Sequence, residues 1–439
     1  MARQDKVEQP MILKGGRVLD PSQDLDKVCD VFIQDGKVAG IDQNIESKDA
    51  KVLDVSGLLV TPGWLDIHTH LREPGQSHKE TIQTGTEAAA AGGFTTLACM
   101  ANTHPVNDNS FVTSYLREKI ANEALVNVFV IGAVTKGLEG KELAAIGSMW
   151  EAGIVALSDD GMTVMNSYLY RKAMDYAKRF GLTIISHCED TGLKGRGVMN
   201  EGFHSTKFGL RGNPKASEEI MVARDILLAE LTGAKLHIAH VSTKGSVELV
   251  RQAKARGIAV TGEATPHHLN LTDEAVANYD TNTKVAPPLR EPEDIEALCA
   301  AVADGTLEVL ASDHAPHAAE EKEVEFDQAE FGMIGLELAF SLYYKKVLEK
   351  KFSLNRMVQA MTVNPASVIG VPKGTLKIGA DADVTIADLT KKWELDRFQL
   401  KSKSQNTPFH GHQMNGRVAY TLLGGRVIYQ YGENKGPTK

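Results

Sequence analysis

The sequence predicts an α/β protein, a (β/α)8 barrel of the TIM type with a small β-sandwich domain built from both chain termini. Two observations support this fold class. Through the middle of the chain, eight apolar runs of strand length alternate with helical stretches. At both ends, short β-type runs are separated by turn residues. The alternating units occupy about 270 residues, close to the roughly 250 that such a barrel needs.

The two ends of the chain share the same β-type pattern. Residues 11–62 contain the runs MILKGGRVLD, VCDVFIQDGKVAGI and AKVLDVSGLLV, and Asp35-Gly36 between two runs is typical of a hairpin turn. The same β-type pattern recurs near the C-terminus, in GTLKIGADADVTIADL and NGRVAYTLLGGRVIYQYGE. We therefore expect residues 1–62 and 374–439 to form one β-sandwich domain beside a barrel of residues 63–373. Two independent additions to the barrel are the alternative.

The predicted barrel strands are short and apolar. In chain order they are LLVTPGWLDIH, FTTLACMAN, VNVFVIGAV, AGIVALSDD, LTIISHCE, KLHIAHVS, IAVTGEATPHH and LEVLASDH. Helical segments follow most of them, and in SEEIMVARDILLAEL we expect Ser217 to cap the helix. The apolar residues of that segment recur near helical spacing, at Ile220, Ala223, Ile226, Leu227 and Leu231. An open, doubly wound sheet is the alternative architecture.

Composition and charge narrow the class of protein. There are 48 Lys and Arg against 57 Asp and Glu, a net charge of −9 without a basic stripe, so nucleic acid is not expected as a partner. No apolar run approaches the roughly 18 residues of a membrane span, and the N-terminus lacks a signal-peptide core. The 4 cysteines are scattered, without a C-x-x-C pair. A cytoplasmic protein is the expectation.

Histidine and aspartate residues mark the ends of five predicted barrel strands. They are His68 and His70, Asp159 or Asp160, His187, His240 and Asp313. Because side chains at the carboxyl ends of barrel strands converge on one mouth, these residues are expected to meet there. Imidazole nitrogen and carboxylate oxygen are good zinc ligands, and six of them suit two bridged ions better than one tetrahedral ion. The sequence therefore predicts a metal site.

Further polar residues are expected at the same mouth. Arg72 follows the first strand, where a guanidinium could hold a substrate carboxylate, and Asn102 ends the second. His267 and His268 end the predicted seventh strand and are expected to support the ligands or to pack.

After Asp313, the polar stretch HAPHAAEEKEVEFDQAEFG has no evident secondary structure, as in many active-site lids. We expect residues 320–325 to be a solvated acidic loop, with His317, Phe331 and Gly332 within reach of a ligand.

Several common catalytic motifs are missing from the sequence. It has no phosphate-binding G-x-x-x-x-G-K-[ST] loop, no dinucleotide-binding G-x-G-x-x-G turn and no G-x-S-x-G elbow. Nucleotide-driven chemistry and serine hydrolysis are therefore not expected.

The motifs together resemble those of one enzyme family. They resemble those of the long-class (type I) bacterial dihydroorotases of the amidohydrolase superfamily. The motifs are PGWLDIHTHLREPG, GGFTTLACMANT, SDDG, HCED, HVSTKGSVELV, PHHL, APPLR, SDHAPH and FGMIGLE. The similarity covers nearly the whole chain. It implies a metal-dependent barrel enzyme of pyrimidine biosynthesis, which reversibly cyclises N-carbamoyl-L-aspartate to L-dihydroorotate and water.

The resemblance also implies a role for each site residue. The zinc ligands would be His68, His70, Asp160, His187, His240 and Asp313. Asp160 would bridge two ions, with a single ion as the alternative, and Asp313 would act as the catalytic base and acid. Arg72 and Asn102 would bind the substrate carboxylate, and His317 with the backbone of Phe331 and Gly332 would close over the ring.

Two positions depart from the family pattern. The family usually has Asn-Pro-Pro-Leu-Arg after the seventh strand, but this chain has Ala286 in place of the Asn, which removes one expected hydrogen bond to substrate. The family also prefers Met-Pro-Asn-Thr, whereas Met100 is followed here by Ala101. We expect the second change to be neutral.

Two alternative functions remain open at this point. Dihydropyrimidinases, hydantoinases and allantoinases are similar barrels, but they carry a carboxylated lysine on the fourth strand, and GIVALSDDG contains no lysine. The other alternative is a non-catalytic subunit that scaffolds aspartate transcarbamoylase, although such chains typically lose metal ligands. A homodimer and a complex with aspartate transcarbamoylase are the protein partners that the resemblance implies.

Overall fold

The N-terminal part of the chain forms most of a mixed β-sheet. In this computed structural model, residues 9–432 are described. The first strands are β1 (Met11–Asp20), β2 (Leu25–Gln34), β3 (Lys37–Asp42), β4 (Lys51–Asp54) and β5 (Leu59–Pro62). β1 pairs with β2 on one edge and with β4 and then β5 on the other, on either side of a bulge at Gly15. The predicted hairpin at Asp35-Gly36 is confirmed, since both residues have positive φ and join β2 to β3.

Eight parallel strands then form the barrel. They are β6 (Trp64–Thr69), β7 (Phe94–Cys99), β8 (Asn127–Gly132), β9 (Ile154–Leu157), β10 (Thr183–Ser186), β13 (Lys235–Ile238), β14 (Val260–Ala264) and β15 (Val309–Leu310). Between β10 and β13 lie the two-residue strands β11 (Met199–Asn200) and β12 (Gly212–Asn213). A bridge between Thr69 and His314 joins the first barrel strand to the segment after the last. The predicted (β/α)8 barrel is thus confirmed, and the alternative of an open, doubly wound sheet is not.

Helices surround the barrel strands. They are α1 (Ile82–Ala91), α2 (Ser110–Glu123), α3 (Ile146–Ala152), α4 (Ser167–Arg179), α5 (Thr191–Lys194), α6 (Phe203–Phe208), α7 (Ala216–Thr232), α8 (Lys244–Ala255), α9 (Pro266–Asn270), α10 (Pro292–Asp304), α11 (Ala319–Lys322), α12 (Ala339–Leu348), α13 (Leu354–Ala360) and α14 (Val363–Ile369). Thr81, Asn109, Asn166 and Thr243 cap α1, α2, α4 and α8 by accepting backbone N–H groups. Within the described residues, no helix is long and apolar enough to cross a membrane.

The C-terminal strands complete the first sheet. β16 (Val384–Glu394), β17 (Gln413–Leu423) and β18 (Arg426–Gln430) extend it from β5, in the order β18-β17-β16-β5-β1-β2-β3. Hydrogen bonds between Val38 and residues 379–380 join the free edge of β3 to the chain ahead of β16. The sheet therefore folds back around an apolar core of its own, separate from those of the barrel.

One connection of this sheet reaches the barrel. Residues 395–412, between β16 and β17, leave the sheet, and we call this segment the strap. Its Ser404 hydroxyl donates to the carbonyl of Lys79 (2.6 Å), and its Asn406 bonds to the segment after β15. The strap thus brings residues of the terminal sheet to the barrel mouth.

Three local predictions were wrong. α7 is capped by Lys215, and Ser217 lies inside the helix, where its hydroxyl donates to Asn213 Oδ1. Of its predicted apolar face only Ile226 is fully buried, because the buried face includes polar residues such as Glu218 that neighbouring loops satisfy. His267 and His268 belong to α9 rather than to the seventh strand, which ends at Ala264.

A fourth prediction, that residues 320–325 form a solvated acidic loop, was wrong in part. The stretch after His317 contains the helical turn α11, and the Lys322 side chain is buried although its neighbours Glu320 and Glu323 are exposed. Lys322 Nζ donates to the carbonyls of Glu330 (2.7 Å) and Gly332 (3.1 Å). We call residues 318–332 the lid.

Candidate active site

The six predicted ligand residues lie together at the carboxyl ends of the barrel strands. His68 belongs to β6, and each of the others follows its strand by one to three residues; all six are buried. They are His68, His70, Asp160, His187, His240 and Asp313. Because parallel strands present their carboxyl ends to the same mouth, residues far apart in sequence come together there.

Two carboxylates face the first pair of histidines. His68 Nε2 lies 3.3 Å from Asp160 Oδ1 and 3.5 Å from Asp313 Oδ1. His70 Nε2 lies 3.4 Å from Asp160 Oδ2 and 3.4 Å from Asp313 Oδ1. His68, His70 and Asp313 can offer ligand atoms to one ion, as can His68, Asp160 and His240.

The other two histidines approach from β10 and β13. His187 Nδ1 lies 2.8 Å from His240 Nε2, and His240 Nε2 lies 3.5 Å from Asp160 Oδ1. His187 Nδ1 is 3.8 Å from the same oxygen. Asp160 is therefore the group shared by all four histidines, the geometry that a bridging ligand requires.

The hydrogen bonding of this cluster fits a metal site. His68 Nε2, Asp160 Oδ1 and His240 Nδ1 are buried and have no hydrogen-bond partner among the described residues. A buried polar atom without a partner is costly unless something else, such as a cation, satisfies it. Burial opposes protonation of His68, yet Asp160, Glu263 and Asp313 together raise its pKa. The cluster thus attracts positive charge, and its nitrogen and oxygen donors suit a divalent metal.

A carboxylate beneath the cluster holds two of the candidate metal ligands, His68 and His240, in place. Glu263 on β14 accepts from His68 Nδ1 (2.5 Å) and from the backbone N–H of His240 (3.1 Å). Its other oxygen accepts from His237 Nε2 (3.0 Å). Burial by itself would raise the pKa of Glu263, but the interactions with His68 and His237 lower it, so the group is ionised. Carboxylates that hold metal-ligating histidines in this way increase ligand basicity.

The adjacent carboxylate Asp159 lies outside the cluster. It accepts from the backbone N–H groups of Val134 (2.7 Å) and Thr135 (3.1 Å), and burial raises its pKa to about 6. It therefore closes the loop after β8 and offers no atom to the mouth.

Arg72 and His317 form the opposite side of the mouth. Arg72 Nε donates to the carbonyl of Pro316 (3.0 Å), and Arg72 Nη2 lies 3.2 Å from His317 Nε2, which is 2.9 Å from the carbonyl of Phe331. Burial lowers the pKa of Arg72 to about 10, so the guanidinium stays charged at neutral pH. Burial together with Arg72 and Lys79 lowers the pKa of His317, which is therefore neutral.

The Arg72 guanidinium has no ion-pair partner in residues 9–432. A buried cation without a counter-ion at an open cavity is a typical site for an anionic ligand. The cavity is lined both by the candidate metal ligands and by the residues expected to contact substrate. Its lining includes His70, Arg72, Asn102, Asp160, His187, His240, Ala286, Asp313, His317, Phe331 and Gly332.

Asn102 makes a contact that the sequence did not indicate. Its Oδ1 accepts from His70 Nδ1 (2.9 Å), and its Nδ2 lies 3.4 Å from the carbonyl of Asp160. The side chain lines the cavity and also orients the ring of His70, a candidate metal ligand.

Sequence reasoning missed two further groups, Glu263 and Lys194, and expected His267 only to support the ligands or to pack. Glu263 carried no signal apart from its place near the end of a strand. Lys194 Nζ lies 2.5 Å from Glu189 Oε2 and 4.8 Å from the ring centre of Phe331. The same Glu189 oxygen lies 3.5 Å from His187 Nε2. His267 points toward the cluster, with Nε2 3.9 Å from Asp313 Oδ2, and burial lowers its pKa to about 4. His267 was found from the sequence because it lies shortly after the seventh barrel strand, in α9.

The fold and site define the class as an amidohydrolase barrel. Residues 346–429 match the model of the Amidohydrolase family, and residues 57–246 match that of the family described as Dihydro-orotase-like. Among solved structures, L-hydantoinase (dihydropyrimidinase) from Arthrobacter aurescens is 27% identical, with a TM-score of 0.88 over 97% of both chains. Dihydropyrimidinase from Brevibacillus agri is 25% identical, with a TM-score of 0.84 over 96% of this chain and 95% of that one.

Closer relatives narrow the class. A dihydroorotase from Geobacter sp. strain M21 is 52% identical over 96% of this chain and 100% of its own. A dihydroorotase from Pelotomaculum thermopropionicum is 53% identical over 96% of this chain and 98% of its own. The chain belongs to the dihydroorotase family.

Proposed function

We propose that the protein is a dihydroorotase, which reversibly cyclises N-carbamoyl-L-aspartate to L-dihydroorotate and water in pyrimidine biosynthesis. One observation supports this most strongly. A single cavity has a His/Asp cluster suited to metal on one side and the unpaired Arg72 guanidinium on the other. A cyclic amide that carries a carboxylate would engage both sides at once.

We infer that zinc is the metal and that two ions bind per chain, with one ion as the alternative. His68, His70 and Asp313 would hold one ion, His187 and His240 the other, and Asp160 would bridge them. Support comes from the shared contacts of Asp160 and from the unpartnered atoms of His68 and His240. When bound, such ions lower the pKa of coordinated water to near neutral and polarise the carbonyl that is attacked.

Asp313 is the proposed proton carrier. Burial opposes its ionisation, but the histidines around it lower its pKa, so the carboxylate is ionised at neutral pH. In ring opening, Asp313 accepts the proton of the attacking water and returns it to the departing amide nitrogen. In ring closure, the same carboxylate takes the proton from that nitrogen and releases it with the leaving water.

The substrate side orients the ring. Arg72 would hold the substrate carboxylate through two parallel hydrogen bonds, with Asn102 beside it. His317, whose Nε2 lies 2.9 Å from the carbonyl of Phe331, would hold the backbone of Phe331 and Gly332 as it closes over the ring. The Ala286 side chain offers no hydrogen bond at the position where the family has Asn, so these groups carry the recognition.

Hydrolysis of a neutral cyclic amide is the second candidate, because the similar solved structures are a hydantoinase and a dihydropyrimidinase. The unpaired charge of Arg72 argues against it, since a neutral substrate would leave that buried cation without an ion-pair partner.

Metal content and substrate choice test the proposal together. We expect about two zinc ions per purified chain and turnover of dihydroorotate at least about 10²-fold faster, in kcat/KM, than of dihydrouracil, hydantoin or allantoin. Preference for a neutral ring would overturn the proposal in favour of the second candidate. A chain without metal or turnover would be a scaffold subunit for aspartate transcarbamoylase.

We also propose that the protein is a homodimer. Ile220, Leu227 and Leu231 on α7 are 51%, 59% and 62% exposed, and they lie within about 40° of one another around the helix. Such an exposed apolar stripe is typical of an interface. Sedimentation should give a dimer for the wild type and for Val28→Glu, an exposed position on β2, and a monomer for Leu227→Glu. Co-sedimentation with aspartate transcarbamoylase tests the second proposed partner.

The remaining proposals concern domains and location. We propose a division into residues 1–62 with 374–439 and the barrel of residues 63–373; residues 1–8 and 433–439 of this division lie outside the described part. We also place the enzyme in the cytoplasm, and its four buried free thiols support a reducing compartment. Limited proteolysis and cell fractionation test these two proposals.

A further inference from the structure

The strap supplies one side chain, Asn406, that contacts both halves of the substrate side. The buried Asn406 Oδ1 accepts from the backbone N–H of His317 (3.1 Å). Its Nδ2 donates to the carbonyls of Ala315 (3.0 Å) and Gly332 (3.2 Å). One neutral amide thus joins the segment after β15 to the end of the lid.

These contacts lie directly behind the groups that face the cavity. Ala315 and His317 belong to the segment whose Pro316 carbonyl accepts from Arg72 Nε. Gly332 follows Phe331, whose carbonyl lies 2.9 Å from His317 Nε2. Asn406 therefore adds a side-chain link between the two segments, beside the direct backbone hydrogen bond from Ala315 N–H to the carbonyl of Met333 (2.9 Å), without facing the cavity itself.

The amide group is matched to this task. It has one acceptor and two donors, and the site presents one N–H and two carbonyls. An aspartate would keep the acceptor but lose both donors and place a negative charge against two carbonyl oxygens. An alanine would leave the buried His317 N–H without this acceptor.

The strap is held in place independently of Asn406. The buried carboxylate of Glu80 accepts from the Ser402 hydroxyl and from the backbone N–H of Lys403 (3.0 Å). Ser404 donates to the carbonyl of Lys79. Asn406 is therefore presented from a fixed segment, and its backbone carbonyl also accepts from Ile334 N–H (3.0 Å).

We propose that Asn406 is a positioning residue for substrate recognition, through which the terminal sheet completes the active site of the barrel. This inference rests on the proposed function, because Arg72 and His317 are the groups that it positions against the substrate. It assigns the strap to binding and leaves the metal side independent of it.

Steady-state kinetics of Asn406→Ala and Asn406→Asp test this role. We expect KM for dihydroorotate to rise at least about tenfold, with kcat within about threefold of the wild type and metal content unchanged, because binding geometry is lost while the metal side remains. The matched control is Asn364→Ala. Asn364 donates to the carbonyl of Glu308 near the opposite end of the barrel, and its loss should leave KM unchanged.

Amide hydrogen exchange supplies a readout that does not need turnover. In Asn406→Ala, peptides covering residues 315–332 should exchange faster than in the wild type, and those covering residues 94–102 should not. An unchanged KM, or an unchanged exchange rate over residues 315–332, would overturn the inference. So would a loss of metal and kcat in step with KM, which would indicate a purely structural role.

Failure of the proposed function would look different. A wild-type enzyme that prefers hydantoin or dihydrouracil would overturn that function. The KM of the Asn406 variants for the preferred ring, together with the exchange rates, would then decide the role of Asn406.

Discussion

The two sides of the barrel mouth are built in different ways. On the metal side, every ligand lies within three residues of a barrel strand, so the hydrogen-bonded sheet fixes its backbone. On the substrate side, His317 and Gly332 lie in irregular segments held by Asn406 of the strap and by Lys322 of the lid. Strand ends give the precise geometry that metal ligands need, whereas loops give a surface that can adapt to a ligand.

The difference separates the expected effects of mutation. Changes on the metal side should abolish chemistry or metal binding, because those side chains are the proposed metal ligands and proton carrier. Changes on the substrate side should alter recognition and local stability first. Each of the following experiments tests that division.

The largest effect is expected at the proton carrier. Asp313→Asn should keep most of the metal, since the amide still offers an oxygen, but kcat should fall by about 10²–10⁴-fold because the amide cannot accept a proton. Metal analysis and steady-state kinetics measure both quantities. Asp159→Asn is the matched control, since that neighbouring carboxylate lies outside the cluster and its replacement should leave kcat within about threefold. A loss below about tenfold for Asp313→Asn would remove Asp313 from this role.

Arg72→Met should lower kcat/KM for dihydroorotate by at least about 10²-fold while metal content stays unchanged, since two hydrogen bonds to a carboxylate are lost. Arg72→Lys should recover little, because an ammonium group cannot reproduce the planar pair of donors. The slow hydrolysis of dihydrouracil, which has no carboxylate, is the internal control and should change little. Equal losses for both substrates would contradict carboxylate recognition.

Glu263→Gln tests how far the metal side extends below the ligands. Replacing the carboxylate removes the negative charge that orients His68, and zinc affinity should fall by about 10–100-fold. Competition with a chelator measures the affinity. Glu308, at the start of β15, pairs instead with Lys254. Glu308→Gln is therefore the matched control and should leave the zinc affinity unchanged. If the two variants bind zinc equally well, Glu263 has no role in holding the ligands.

The last prediction concerns the stability of the lid rather than chemistry or binding. Burial lowers the pKa of Lys322 to about 7, with Lys284 acting in the same direction and nearby carboxylates opposing it. Below that pH the folded protein must bury a charged ammonium group, which lowers its free energy of unfolding. Between pH 7 and about 10 this loss of stability becomes smaller and then disappears. Relative to Lys322→Met, the wild type should therefore gain up to about 1.4 kcal/mol of unfolding free energy per pH unit over this range. Denaturant unfolding at pH 6 to 9 measures it; parallel profiles would contradict the buried, neutral amine.

The error of sequence reasoning on α7 has a clear physical cause. The apolar residues of α7 at Leu227 and Leu231 are exposed, because the helix buries Glu218 and Asp225 against hydroxyl groups such as those of Ser242 and Ser186. A periodic pattern records which side of a helix is apolar. It does not record whether polar groups on the other side find partners in the fold.

The sequence alone determined the barrel, the hairpin at Asp35-Gly36 and the positions of the candidate metal ligands. Strand periodicity and turn residues are local signals, and the carboxyl ends of parallel strands must share one mouth. Only the tertiary structure decided which side chains support that mouth. Glu263 lies 195 residues from His68 and Asn406 lies 89 residues from His317, and each contact depends on how the folded chain brings those segments together. Hydrogen bonds across such separations leave no local pattern in the sequence.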